Sequence, residues 1–256
     1  MDNDKTLTLL EMSEDAKRRV AVISKEFTDG FEFVKNYPKS VTFFGSARSK
    51  EGDFYYEKAR GLARRIAEEL RYTIVTGGGP GIMEAANRGG YEAGGNSVGL
   101  TIALPHEQTT NNYLTDNIDF HYFFSRKVCL AFSAEAYIFF PGGFGTLDEF
   151  TELLTLVQTK KIPWAPLILV GENHWRPLEN YFKEILVKEG TIEEKDLNIY
   201  TITEDDDEVV RIIKEAPVRM GVRYNQAIDG LSKQSGPSKK AERTLSELLK
   251  KHFTWE

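Results

Sequence analysis

Between residues 40 and 215 the chain alternates short unbroken apolar runs with longer stretches that carry apolar residues on one side only. Ser40–Phe44, Tyr72–Val75, Ser97–Ile102, Ile118–Phe124, Tyr137–Phe140, Leu167–Val170 and Asn198–Ile202 read as strands. Phe54–Leu70 reads as a helix: Ala59, Leu62, Ala63, Ile66, Ala67 and Leu70 recur at i, i+3, i+4, i+7, i+8 and i+11, one face at a period of 3.6. Ile82–Ala93, Arg126–Ala134, Leu147–Thr159, most of Trp175–Lys188, and Asp205–Glu215 follow the same logic. Thr203 is the expected cap of the last of these, with acids in its first turn matching the dipole. Strands without internal alternation, each followed by a helix, are the pattern of a parallel sheet covered on both faces. The expected fold is therefore α/β, a Rossmann-like, doubly wound, mostly parallel sheet with helices on both faces.

The flanks are different. Glu14–Lys25 is helix-compatible and charged, and a linker with Gly30 and Pro38 follows it. Beyond Gly221 the pattern weakens into a linker-like Ser232–Lys240 and a possible last helix, Ala241–Lys251. The expected organisation is an N-terminal helical extension over 1–39, a nucleotide-binding catalytic domain over 40–221, and a tail over 222–256.

Composition removes several function classes. The 256 residues carry 33 basic and 39 acidic side chains, a net charge of −6. That balance argues against gripping nucleic acid, which needs a basic excess. One cysteine, Cys129, excludes an internal disulfide and a multi-cysteine metal site. Its apolar surroundings point to a buried structural thiol. No apolar run approaches the ~20 residues of a membrane helix, and the acidic start lacks the build of a signal peptide, so the cytoplasm is the expected compartment.

Glycine usage is average, but its placement is not. Gly77-Gly78-Gly79-Pro80-Gly81 and Gly142-Gly143-Phe144-Gly145-Thr146 each follow a strand and precede a helix. In an open α/β sheet such loops stand at the carboxyl ends of strands, where ligands bind, and helix N–H groups there attract anions, most often phosphate. A third turn, Gly45-Ser46-Ala47-Arg48, adds a hydroxyl and a guanidinium. Neither glycine loop matches the dinucleotide fingerprint or a P-loop, so NAD and ATP are not implied. Thr146-Leu-Asp-Glu149 also fits a capping box, which would spend Glu149 on the helix's own N–H groups. Arg126 and Lys127 follow Ser125, a plausible N-cap, and two cations in a first turn oppose the dipole unless something negative offsets them. The four histidines form no H-x-x-x-H pair, no acidic cluster has metal spacing, and no Gly-x-Ser-x-Gly elbow occurs. What remains is an anion site with one carboxylate and one or two cations, suited to binding or cleaving a phosphorylated small molecule without a metal or other cofactor.

Pro141-Gly-Gly-Phe-Gly-Thr-Leu-Asp-Glu149 resembles the P-G-G-x-G-T-x-x-E signature of the Lonely Guy family, the cytokinin riboside 5′-monophosphate phosphoribohydrolases. Gly45-Ser46, Thr76–Ala85 and Arg126-Lys127 match in order and approximate spacing, so the resemblance covers roughly Val41–Ala216. It looks closer to the longer bacterial members, many of which are labelled possible lysine decarboxylases, though no pyridoxal-phosphate lysine motif is evident. The resemblance implies a Rossmann-like fold, a homodimer or larger homo-oligomer, and hydrolysis of the N-glycosidic bond of a nucleoside 5′-monophosphate to a free base and ribose 5-phosphate. It places the catalytic pair on Arg126 and Glu149 and the phosphate loop on Gly142, Gly143, Gly145 and Thr146. Ser46, Gly78, Gly79, Glu84 and Lys127 are the further candidates for substrate contact, with Glu107 and Gln108 at the same mouth. The competing reading is a nucleotide-binding or sensor protein on the same fold, with Glu149 a mere cap; a decarboxylase or another phosphosugar enzyme is a third.

Overall fold

The computed structural model describes residues 9–102 and 110–218. The expected tail helix, the linker before it, Glu107 and Gln108 lie outside the described residues. The elements are α1 (Leu9–Val34), β1 (Ser40–Phe44), α2 (Phe54–Arg65), β2 (Thr73–Thr76), α3 (Ile82–Glu92), β3 (Ser97–Ile102), β4 (Asp116–Phe120), α4 (Phe123–Phe132), β5 (Ala136–Phe139), α5 (Phe144–Gln158), β6 (Leu167–Val170), α6 (Glu172–Tyr181), β7 (Tyr200–Thr203) and α7 (Asp206–Glu215). Helices α2 and α6 each continue into a π-helical turn, Ile66–Leu70 and Phe182–Val187.

The seven strands form one sheet in the order β4-β3-β2-β1-β5-β6-β7, and every pair is parallel. The expected doubly wound α/β fold is thus the observed one. Successive side chains of the inner strands feed two separate cores, while the edge strand β4 is largely exposed apart from Phe120. Val41, Phe43, Ile74, Ile138, Ile168 and Val170 pack on one face with Leu62, Ala63 and Ile66 of the α2 region and with Val209 and Ile213 of α7. Phe44, Val75, Tyr137, Phe139, Leu167 and Leu169 pack on the other with Leu130, Phe150, Leu153 and Trp175. That two-sided burial is why the strands carry no polar alternation.

Chain order reverses between β1 and β5: β2, β3 and β4 extend the sheet on one side, β5, β6 and β7 on the other. The carboxyl ends of β1 and β5 therefore diverge and leave a crevice. Among the described residues no helix is long and apolar enough to cross a membrane.

Several boundaries depart from expectation. The linker expected around Gly30 is helix, and α1 runs unbroken to Val34. Gly30 is buried there, with Cys129 Sγ and the Phe120 ring filling the space a side chain would need. Helix α4 starts at Phe123 with Tyr122 as its cap, so Ser125 is not the N-cap. The cap of α7 is Asp205, whose side chain accepts from Asp207 N–H at 2.9 Å. Thr203 instead accepts from Asp205 N–H at 3.1 Å and donates to Glu208 at 2.5 Å. Cys129 is buried, and burial pushes its thiol up to about 12.

Candidate functional site

The crevice is a cleft of about 710 Å³, within the range of a small-ligand site. Its walls come from Phe44–Arg48 after β1, Gly77 after β2, Gly143–Thr146 with Asp148 and Glu149 from α5, and Arg126 and Lys127 from α4.

Helix α5 begins earlier than the capping-box pattern suggests. Gly143 is its cap, without a side-chain hydrogen bond, and Phe144 is its first residue. Thr146 and Glu149 therefore do not cap the helix. The first N–H of the helix to find a backbone carbonyl is that of Leu147, which donates to Gly143 O at 3.1 Å. The N–H groups of Phe144, Gly145 and Thr146 have no partner among the described residues. Three free donors at the positive end of a fifteen-residue helix make an anion cradle. Gly142 supports it from behind, because a Cβ there would stand 2.1 Å from Thr146 Oγ1. Its N–H donates to His174 Nε2 at 3.5 Å, and burial lowers the pKa of that imidazole.

Glu149 lies one turn beyond Thr146 on the same side of α5, and both are buried. Its carboxylate has no hydrogen-bond partner among the described residues. Burial raises its pKa to about 7; Lys127 and Arg126 pull it down, while Glu152 and Asp148 add to the rise. A carboxyl group poised there can exchange a proton near neutrality. Arg126 faces it from α4 without pairing. Burial lowers the arginine's pKa and the Glu149 charge raises it, yet a guanidinium stays charged at any physiological pH. The Arg126 guanidinium lies 5.3 Å from the centroid of the Phe123 ring, and its buried Nε has no hydrogen-bond partner among the described residues. An unpaired buried donor in a cleft wall can donate to an acceptor on a ligand.

Lys127 is placed differently. Its Nζ lies 2.6 Å from Asp148 and 3.2 Å from Glu152. Burial lowers its pKa, but those bonds and the neighbouring Glu149 charge outweigh burial and raise it.

The other glycine loop is consumed by the fold. Gly78 N–H donates to Thr76 Oγ1 at 2.8 Å, and Gly78 O accepts from Asn111 N–H at 2.9 Å. Asn111 Nδ2 donates to Gly79 O at 3.1 Å and to Asn87 Oδ1 at 3.0 Å. Gly81 has φ +72°, and a Cβ on it would stand 2.3 Å from Ser46 O. That same carbonyl accepts from Ile82 N–H at 3.0 Å, so the first N–H of α3 is spoken for.

The fold thus gathers Ser46, Arg126, Lys127, Gly143, Gly145, Thr146 and Glu149 around the cleft. Gly142 stands behind the loop. Gly78 and Gly79 line a separate recess of about 10 Å³, and Glu84 accepts from the buried Tyr56 hydroxyl at 2.8 Å rather than lining the cleft. Arg48, exposed at the rim with no side-chain partner among the described residues, ranks beside Ser46 in the cleft wall; its signal was its place in the same turn. Nothing in the sequence pointed to His174 or to the exposed Phe144 and half-exposed Phe123 at the mouth. Among the described residues no three His, Cys, Asp or Glu side chains gather as metal ligands.

Fold and site together define an α/β protein with an anion-reading cleft at the switch point of a parallel sheet. A family model described as "Possible lysine decarboxylase" matches residues 83–213, just over half of the chain. The chain belongs to that family, the one its Pro141–Glu149 signature resembles. It is 31% identical over 156 residues to the cytokinin riboside 5′-monophosphate phosphoribohydrolase of Rhodococcoides fascians, covering 59% of this chain and 77% of that one. It is 26% identical over 193 residues to the phosphoribohydrolase LOG5 of Arabidopsis thaliana, covering 75% and 84%. Among solved structures, TM1055, a structural-genomics target, aligns with a TM-score of 0.52 at 24% identity, over 69% of this chain and 99% of that one. The molybdenum cofactor carrier protein of Chlamydomonas reinhardtii aligns with a TM-score of 0.52 at 21% identity, over 69% and 97%. These two likenesses concern the fold alone.

Proposed function

We propose that the protein hydrolyses the N-glycosidic bond of a nucleoside 5′-monophosphate, releasing the base and ribose 5-phosphate. The observation that carries this reading is Glu149: buried, unpaired, one turn after three free helix N–H groups, and opposite an Arg126 it does not touch. A phosphate seated on the N–H groups of Phe144, Gly145 and Thr146, with Arg48 at the rim, does not react. It anchors the ribose so that the bond to the base lies between the two facing side chains.

Departure of a base leaves an oxocarbenium-like ribose. The ionised Glu149 stabilises that cation and takes the proton of the attacking water. Arg126 donates a hydrogen bond to the departing base through its Nε–H, which has no partner among the described residues, and the proton that Glu149 takes from water passes through solvent to the base, which leaves neutral. Ser46 stands by the ribose and phosphate. The named activity of the Rhodococcoides fascians and Arabidopsis thaliana relatives supports the same reaction here and makes a purine nucleotide, N6-prenylated or plain AMP, the substrate to try first.

A decarboxylase reading fits the cleft less well. Lys127 is the lysine lining it, and its ion pairs to Asp148 and Glu152 keep it charged and tethered, unlike an amine free to condense with a carbonyl. We propose further that the working form is a homo-oligomer, which light scattering checks.

The deciding experiment incubates the protein with a panel of nucleoside 5′-monophosphates, including N6-prenylated AMP, and measures free base and ribose 5-phosphate. Release from at least one, lost in Glu149→Gln and in Arg126→Ala, is the expected result. Tight monophosphate binding with no release from any member would leave a nucleotide sensor instead.

A further inference from the structure

Helix α1 reaches the polar groups at the start of α4 through the side chain of Glu26. Glu26, half-buried, accepts from the N–H of His121 and from the hydroxyl of Ser125, and from Tyr122 N–H at 3.3 Å. These three donors surround the start of α4, and Ser125 is the residue before Arg126. The helix that carries Glu26 is locked in place. Gly30 sits flush against Cys129 and Phe120, Phe27 lies 6.5 Å from Phe124, and Phe31 meets Phe132 edge to face at 5.8 Å. A carboxylate at a helix N-terminus is also the negative charge that Arg126 and Lys127, placed within the first turns of α4, require.

We propose that Glu26 is a positioning residue for the reaction: from the N-terminal helix it holds the start of α4 so that Arg126 faces Glu149 across the cleft. The inference rests on the glycosidase reading of that cleft. Its physical content is a division of labour. The phosphate cradle belongs to α5 and is independent of Glu26, whereas the Arg126 guanidinium moves with the first turn of α4. Disturbing Glu26 therefore affects the bond-breaking step and spares ground-state binding. It also moves the acid limb of the rate profile. The groups that set the ionisation of Glu149 are Arg126 and Lys127 from α4 and Asp148 and Glu152 from α5, and only the first pair shifts with α4.

The test compares full-length wild type, Glu26→Gln and Glu26→Asp, each checked for folding by its melting curve, on a nucleoside monophosphate that the wild type cleaves. Glu26→Gln is expected to lower kcat by roughly ten- to a hundredfold, the cost of a sub-ångström to ångström misplacement, with KM within about twofold. Its acid limb moves to higher pH because Arg126 no longer holds down the Glu149 ionisation, and Glu26→Asp recovers part of the rate. A folded Glu26→Gln with wild-type kcat and an unmoved acid limb overturns the proposal. If the wild type cleaves no nucleotide, it is the glycosidase reading that has failed. The positioning claim is then read from the Arg126 Nε–H resonance in a ¹⁵N spectrum, assigned with Arg126→Lys. A changed resonance in Glu26→Gln supports it, and an identical one overturns it. The same spectrum decides the matter should Glu26→Gln not fold, with Glu26→Asp as the variant.

Discussion

The two glycine loops look like twins and behave as opposites. Both follow a strand of the same parallel sheet, and both lead into a helix. At 77–81 the polar groups turn inward: Thr76 and Asn111 occupy Gly78 and Gly79, Asn87 accepts from both of those side chains, and Ser46 O takes the first N–H of α3. At 142–146 the Gly142 N–H has a side-chain partner, His174, but the N–H groups of Phe144, Gly145 and Thr146 have none among the described residues, and the start of α5 is left open to the cleft. A glycine-rich strand-to-helix turn thus tells where a backbone comes close to something. Whether that something is a ligand or the rest of the protein depends on which neighbours the fold supplies.

The comparison breaks most sharply on rate. Glu149→Gln should cost about 10²–10⁴-fold in kcat, the usual worth of an acid–base group, in the base-release assay. Glu84→Gln, in the corresponding helix of the first loop, should stay near wild type, since its carboxylate is committed to Tyr56.

Glycine substitutions separate the loops next. Gly81→Ala puts a methyl on Ser46 O at a left-handed φ and should cost more than about 1–2 kcal/mol of stability, read by denaturant melting. Gly142→Ala displaces Thr146 and should raise KM for the nucleotide by about tenfold through the cradle, with kcat less affected. Asn111→Ala strips the first loop of its clamp and should cost about 1–3 kcal/mol while leaving KM nearly unchanged.

The last contrast is with pH. Folding raises the Glu149 pKa from 4.5 to about 7. Relative to the unfolded chain, the stability associated with its protonated form is full below 4.5 and lost as pH rises through 7. Glu149→Gln should therefore be more stable than wild type at pH 8, by up to about 3 kcal/mol, with the gain vanishing below about pH 4.5. A melting series in which both proteins run parallel across that window would break the link between burial and chemistry at this residue. If the bond is broken by the ionised carboxylate, kcat climbs through the same pH range.

Much of this was legible along the chain. Residues 40–215 alternate apolar strands with one-sided helices, and two-sided burial of a parallel sheet demands that pattern, so the strands, their parallel direction and the place of the glycine loops at strand carboxyl ends all followed. The Pro141–Glu149 segment likewise announced a glycine loop at a helix start with a carboxylate one turn beyond Thr146. Boundaries within a turn did not follow. Thr146 suits an N-cap, but Gly143 adopts the cap, its carbonyl accepting from Leu147 N–H, and the helix starts three residues earlier. Gly30 reads as a linker residue because glycine weakens an isolated helix. Inside the protein, close packing against Cys129 makes the missing side chain an advantage.

By itself, then, the sequence determined the layered fold and the kinds of group available for chemistry, since period and residue type are local properties. Tertiary structure alone decided that Gly78 and Gly79 are tied to Thr76 and Asn111 while the first three N–H groups of α5 stay free, that Arg126 and Glu149 meet without pairing, and that Glu26, from the distant N-terminal helix, accepts from the donors around the start of α4. Those outcomes depend on donors and acceptors brought together from distant segments, and on how much water each carboxylate loses there; neither quantity is written in any single stretch of chain.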